Sequence, residues 1–178
     1  RHMTDARQSA HPSLAALLSP PSEAGRSGAA SADLGPMPEW DLSDLYASPS
    51  DPAITRDLEE GAGSARRLKE TYQGRIVAVA ADGAALAVPV LEYERLADLL
   101  GRLGSYAGLL YAADTADPAR AKFYGDIQER ITAITTDLIF FELELNQIDD
   151  ATLAAAVTHP ALARYKPWLD DLRKEKPY

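Results

Sequence analysis

Large apolar residues recur at Tyr124, Ile127, Ile131, Ile134, Leu138, Phe141, Leu145 and Ile148. The spacing alternates three and four without interruption, which places all eight on one stripe of a helix packed along another helix. A partner stripe precedes it at Leu96, Leu99, Leu103, Tyr106 and Leu110, again three and four apart. Between them, Asp114-Thr115-Ala116-Asp117-Pro118 breaks the pattern and restarts it, with Asp117 as N-cap and Pro118 in the first turn. So short a connection makes the two helices antiparallel neighbours.

The remaining elements follow from the same signals. Asp51-Pro52 opens a first helix that runs to Tyr72 on Ile54, Leu58, Ala62, Ala65, Leu68 and Tyr72, and Gly74 closes it. Ile76-Val77-Ala78-Val79 has the β-branched content of a strand but no candidate strand to pair with, so the linker Arg75–Pro89 is expected to be a loop or a short helical turn. The second helix is expected from Pro89 to Ala113 and the third from Asp117 to Gln147. Asp149-Asp150 caps an alanine-rich helix to Thr158, and His159-Pro160 opens a last one carrying Leu162, Tyr165, Trp168, Leu169 and Leu172. The predicted fold class is all-α, about five helices around a long antiparallel helical hairpin.

Residues 1–38 contain no aromatic side chain, and eleven of the twenty residues from Ser19 to Pro38 are Ser, Gly or Pro. Such a composition buries too little surface to offset ordering entropy. With Arg1-His2-Met3 resembling a tag remnant, 1–38 reads as remnant and flexible leader, order as beginning near Trp40, and 39–178 as one helical domain. The net charge of −9 argues against partners that attract a basic face, nucleic acid or an anionic membrane. No cysteine is present, which removes disulfides and thiolate metal sites. No apolar run approaches the ~18 residues of a membrane span, and the expected location is cytoplasmic.

Chemistry is sparse. The histidines are His2, His11 and His159; none is followed by glutamate and no two stand four apart, so the H-E-x-x-H zinc arrangement is missing. His159 reads as a helix-end residue beside the negative pole of the dipole. Glu142 and Glu144 point to different sides of one helix, and with Asp149 and Asp150 form an acidic group read as an ordinary solvated cluster. Glu92, Glu94 and Asp98 are expected to face water. Neither a G-x-S-x-G elbow nor a phosphate-binding glycine loop occurs. No catalytic, cofactor-binding or metal-ligating residue is therefore assigned.

Two packing features stand out. Gly104, Gly108 and Ala112 form a ridge of small residues, with Ala97, Gly101 and Ser105 beside it, the mark of a close helix crossing or the border of a groove. Phe123, Ile139, Phe140 and Leu143 lie off the main stripe, so a second face needs covering. If the short helices leave it bare, it belongs to a missing part of the molecule, and the isolated chain is expected to self-associate.

Pro-Glu-Trp-Asp-Leu-Ser-Asp-Leu-Tyr at 38–46 resembles the opening of the oligoendopeptidase F family of zinc peptidases. Leu-Gly-Arg-Leu-Gly-Ser-Tyr-Ala at 100–107 is similar to it as well. So is the run from Tyr111-Ala-Ala-Asp-Thr to Phe-Phe-Glu-Leu-Glu-Leu-Asn at 140–146. The resemblance implies the N-terminal helical part of a longer enzyme, one wall of a peptide-binding cleft. The H-E-x-x-H helix, a further glutamate ligand and the zinc would lie in a C-terminal catalytic half, where a glutamate would deprotonate a zinc-bound water. It also implies short peptides as the parent's substrates, the catalytic half as this chain's partner, and no activity or cofactor in this chain alone. The competing expectation is a stand-alone helical interaction module without catalysis.

Overall fold

A computed structural model describes residues 41–174, and its order is set by eight helices with no strand among the described residues. They are α1 (Pro52–Tyr72), α2 (Ile76–Val79), α3 (Gly83–Ala113), α4 (Pro118–Thr136), α5 (Ile139–Gln147), α6 (Asp150–Ala156), α7 (Pro160–Ala163) and α8 (Lys166–Lys174). The all-α class holds, with eight elements where about five were expected. The leader 1–38 and the start of order at Trp40 lie outside the described residues. No helix among the described residues is long and apolar enough to cross a membrane.

Helix α1 begins where its cap chemistry says it should. Asp51 accepts the Ala53 N–H at 2.8 Å and the Ala47 N–H at 3.0 Å, and Pro52 occupies the first turn. Its end is marked by Gly74 at φ +78°, a left-handed conformation that suits glycine. Ile54, Leu58, Ala65 and Leu68 are buried. Gly61 lies where α1, α3 and α4 meet: a Cβ there would stand 3.3 Å from Leu100 and 3.6 Å from Ile134.

Helix α3 starts at Gly83, two turns before the expected Pro89. Asp82 caps it by accepting the Ala84 N–H at 2.9 Å. Pro89 therefore sits inside the helix and gives up one ladder bond. The extra turns bury Leu86, Ala87 and Val90, which favours the longer helix. Gly83 also permits a close approach, since a Cβ there would lie 2.7 Å from the Ala156 carbonyl oxygen. The buried stripe of α3 includes Leu96, Leu103 and Tyr106 as expected, but Leu100, fully buried, takes the central place assigned to Leu99, which is half-buried.

Along α3 and α4, Tyr111 stacks on Tyr124 at 5.2 Å, a Cβ on Gly104 would stand 3.5 Å from Ile131, and Leu100 and Ile134 converge on Gly61. Contacts thus step back along α3 as they step forward along α4. The expected third helix to Gln147 is not continuous: α4 ends at Thr136 and α5 begins at Ile139. Around the break the backbone tightens, with Leu138 N–H donating to the Thr135 carbonyl at 2.9 Å and Phe141 N–H to Leu138 at 2.9 Å. Three threonines prepare it. Thr132 bonds back to the Gln128 carbonyl, and Thr135 and Thr136 both bond to that of Thr132, a habit that bends helices. Lys69 on α1 then holds Asp137 at 2.7 Å. Because Asp137 and Leu138 stay in the right-handed region, the stripe still points inward: Ile131, Leu138, Phe141 and Ile148 are fully buried and Leu145 nearly so.

The linker is a short helical turn, α2, rather than a strand. The expected last helix is split into α7 and α8 by Arg164 and Tyr165, and the alanine-rich helix ends at Ala156.

Candidate functional site

Three tyrosine–carboxylate contacts give the molecule its most organised polar chemistry, and α3 contributes to all of them. In the first, Asp57 on α1 is buried, and its Oδ2 accepts the Tyr46 hydroxyl at 2.8 Å and Arg102 Nη2 at 2.5 Å. Arg102 Nε also donates to the Tyr46 oxygen at 3.2 Å. This ties the segment before α1 to both α1 and α3. Burial, then the bond to Asp57, pushes the Tyr46 phenol up to about 12, against the pull of Arg102.

In the second contact Tyr93 donates to Glu142 on α5 at 2.6 Å. The Tyr93 ring is sandwiched by Phe141 at 4.6 Å and Trp168 at 5.8 Å, and burial followed by the Glu142 charge drives its phenol far upward. In the third, Glu94 accepts from Tyr165 and from Arg164 Nη2 at 2.5 Å, joining α3 to the α7–α8 corner. Burial, then the bond to Glu94, raises Tyr165.

At neutral pH these phenols are therefore neutral donors, and each carboxylate already serves one. The arrangement cross-links helices; it does not present a free base beside a nucleophile. A shallow groove runs over the last two contacts, between α3 and α8, lined by Val90, Ala97, Asp98, Tyr165 and Trp168.

The acidic group expected to be solvated divides: Asp149 and Asp150 are exposed, whereas Glu142 and Glu144 are half-buried and bonded within the fold. Glu144 accepts the Gly74 N–H at 2.6 Å and the Ile76 N–H at 3.2 Å, so it closes the turn into α2. Asp149 caps α6 through the Thr152 N–H at 2.9 Å, and Asp150 faces Arg173 at 3.1 Å. Glu94, expected to face water, has a side chain only 15% exposed. For Glu94, Glu142 and Glu144 the reason is long-range packing, which brings guanidinium, phenol and N–H donors onto carboxylates that local spacing leaves outward, whereas Asp149 makes a local N-cap bond.

His159 stands at the end of α6 but also at the start of α7, where its Nδ1 accepts the Ala161 N–H at 3.3 Å. No group of three His, Cys, Asp or Glu side chains that could hold a metal occurs among the described residues. Of the small-residue ridges, Gly104 and Gly108 receive Ile131 and Tyr124 of α4, a close crossing, while Ala97 borders the groove. Asp57 was missed at the sequence level. Its signal was position, three after Ile54 and one before Leu58, which places a carboxylate on the buried face of α1.

Residues 144–178, from within α5 to the end of the chain, match a family model of an N-terminal peptidase segment described as Oligopeptidase F. The resemblances at 38–46 and 100–107 lie outside the matched residues. Neither the curated proteins nor the solved structures yield a match to this chain. The family match on α5–α8 and the all-helical architecture agree: this chain carries an oligoendopeptidase F-like N-terminal segment.

Proposed function

We propose that this chain is the helical N-terminal, cleft-wall domain of a zinc metallo-oligopeptidase that hydrolyses short peptides, and that it is inert without its catalytic half. The observation carrying the reading is the family match over 144–178, which belongs to the N-terminal part of a peptidase family. The polar architecture supports it. Tyr46–Asp57, Tyr93–Glu142 and Tyr165–Glu94 tie the segment before α1, helix α5 and the α7–α8 corner to the long helices α1 and α3, and each of these carboxylates is engaged by a phenol.

The donor set here does not fit zinc. His159 is the one histidine among the described residues, its Nδ1 takes a backbone N–H, and no second imidazole stands near it. The zinc therefore belongs to the catalytic half of the proposed parent.

The test is direct. The purified chain should retain no stoichiometric zinc by elemental analysis and cleave no internally quenched fluorescent peptide. One equivalent of metal accompanied by cleavage would overturn the assignment. Reading the gene onward should reach H-E-x-x-H; a frame closing at Tyr178 would leave the stand-alone interaction module instead.

A further inference from the structure

The surplus apolar surface foreseen off the main stripe contracts to Ile139 and Leu143, 56% and 58% exposed, because Phe140 is buried and Phe123 half-buried against Tyr106. The grooves carry more chemistry. One between α6 and α8 encloses about 330 Å³, but its charges are already paired, Arg173 with Asp150 at 3.1 Å and Lys166 with Asp170 at 2.6 Å. The groove between α1 and α3 encloses about 240 Å³ and differs in this respect. Glu60, Ser64 and Arg67 line it from α1, and Glu92 and Arg95 from α3. These are two charges of each sign, yet no ion pair forms among them. Glu92 and Arg95 stand three apart, the spacing at which Asp117 pairs with Arg120 and Asp171 with Lys174.

The register of the two helices sets the order of those charges. Asp57 meets Arg102, a Cβ on Gly61 would touch Leu100 and Leu96, and Tyr72 is raised by burial and then by the charge of Glu92. Helices α1 and α3 therefore run antiparallel, which puts Glu60 at one end of the groove, Glu92 at the other, and Arg95 level with Ser64 between them. Arg67 does not pair across the groove with Glu92. Its Nη2 donates instead to the Ser64 hydroxyl at 2.8 Å, one turn back along α1. Gly63 leaves it room, since a Cβ there would stand 3.3 Å from Nη1. The Arg67 head and the Arg95 stem thus share the Ser64 level on opposite walls, with a glutamate roughly 5–6 Å of helix rise to either side.

Two guanidiniums on opposite walls suit a carboxylate, which accepts from both. A dianion such as phosphate is repelled by the glutamates at either end, whereas an ammonium is drawn to them. The floor is apolar: buried Leu68 and Leu96 accept methylene groups and give a peptide group no partner. We infer that the α1–α3 groove binds a small zwitterion, an ω-amino carboxylate with an aliphatic stem, its carboxylate between Arg67 and Arg95 and its ammonium at a flanking glutamate. This site is independent of the function proposed above.

The test titrates δ-aminovalerate into the isotope-labelled chain at low salt and follows the amide resonances of α1 and α3 along the groove. The shifts should saturate, and the zwitterion should bind at least about tenfold more tightly than valerate or pentylamine, each of which lacks one of its charges. Arg67→Gln and Arg95→Gln should each weaken binding by about fivefold, and Glu60→Gln/Glu92→Gln should remove the preference over valerate. All four side chains are exposed, so every variant should keep the thermal midpoint of the unaltered chain, which separates lost binding from lost folding. Equal affinity for valerate and δ-aminovalerate would overturn the proposal, as would tighter binding of inorganic phosphate or of glycylglycine. Shifts that survive Arg67→Gln/Arg95→Gln, or no saturable shift at all, would overturn it too.

Discussion

Replacing Asp57 with alanine tests whether the buried carboxylate organises the start of the domain. The side chain of Asp57 is 5% exposed and that of Arg102 44%. Removing the carboxylate leaves the Tyr46 hydroxyl buried without its acceptor, at about 2 kcal/mol. The loss on Arg102 is smaller, because a guanidinium nearly half in water is rehydrated and its ion pair is screened; about 1 kcal/mol is appropriate. The sum is about 3 kcal/mol, a drop of roughly 10 °C in Tm for a domain of this size. Tyr46→Phe keeps the edge-on ring contact with Tyr106 at 5.2 Å and leaves Asp57 its bond to Arg102, so it should cost about 1.5 kcal/mol. In the double variant no phenol remains to be stranded, so the two costs should fall short of additive by about 1 kcal/mol or more. Urea unfolding followed by far-ultraviolet circular dichroism and by fluorescence, with unchanged m, would measure all three. An Asp57→Ala cost below about 0.5 kcal/mol, or strict additivity, would refute the reasoning.

Two further outcomes follow from the same geometry. Gly83→Ala should destabilise by about 2 kcal/mol, because its Cβ would sit 2.7 Å from the Ala156 carbonyl oxygen, whereas Gly125→Ala, with nothing within 4 Å, should stabilise by up to about 1 kcal/mol; thermal melts of the two variants check the opposite signs. Tyr46, Tyr93 and Tyr165 hold their protons more tightly folded than unfolded, so their contribution is fully present below the ordinary phenol value of 10 and is lost as pH rises from 10 through about 12 for Tyr46; tyrosinate absorbance should lag in the folded protein, and Tyr46→Phe should flatten part of the alkaline loss of stability.

Much of the fold is legible before any coordinates. Asp51-Pro52, Asp117-Pro118 and Asp149 start helices where they should, because an N-cap bond is made within three residues and needs no distant partner. The errors have physical causes. Pro89 was read as a helix start because proline suits the first turn, but burial of Leu86, Ala87 and Val90 outweighs one missing bond. The break after Thr136 is invisible to periodicity, since two right-handed residues preserve the three-four spacing; the threonines at 132, 135 and 136 were its only local trace. The family resemblance was read along 38–178, and the family match falls on its last part, 144–178.

The sequence by itself determined that the chain is helical, which side chains form the buried stripe from Ile127 to Ile148, and where most caps lie, because these depend on contacts within one turn. Only the tertiary structure decided the fate of the charges. Asp57, Glu94 and Glu142 find donors 45, 71 and 49 residues away in the chain, and no local pattern records such partners. The same long-range packing gives Asp137, Glu142 and Glu144 their partners in Lys69, Tyr93 and the Gly74–Ile76 turn.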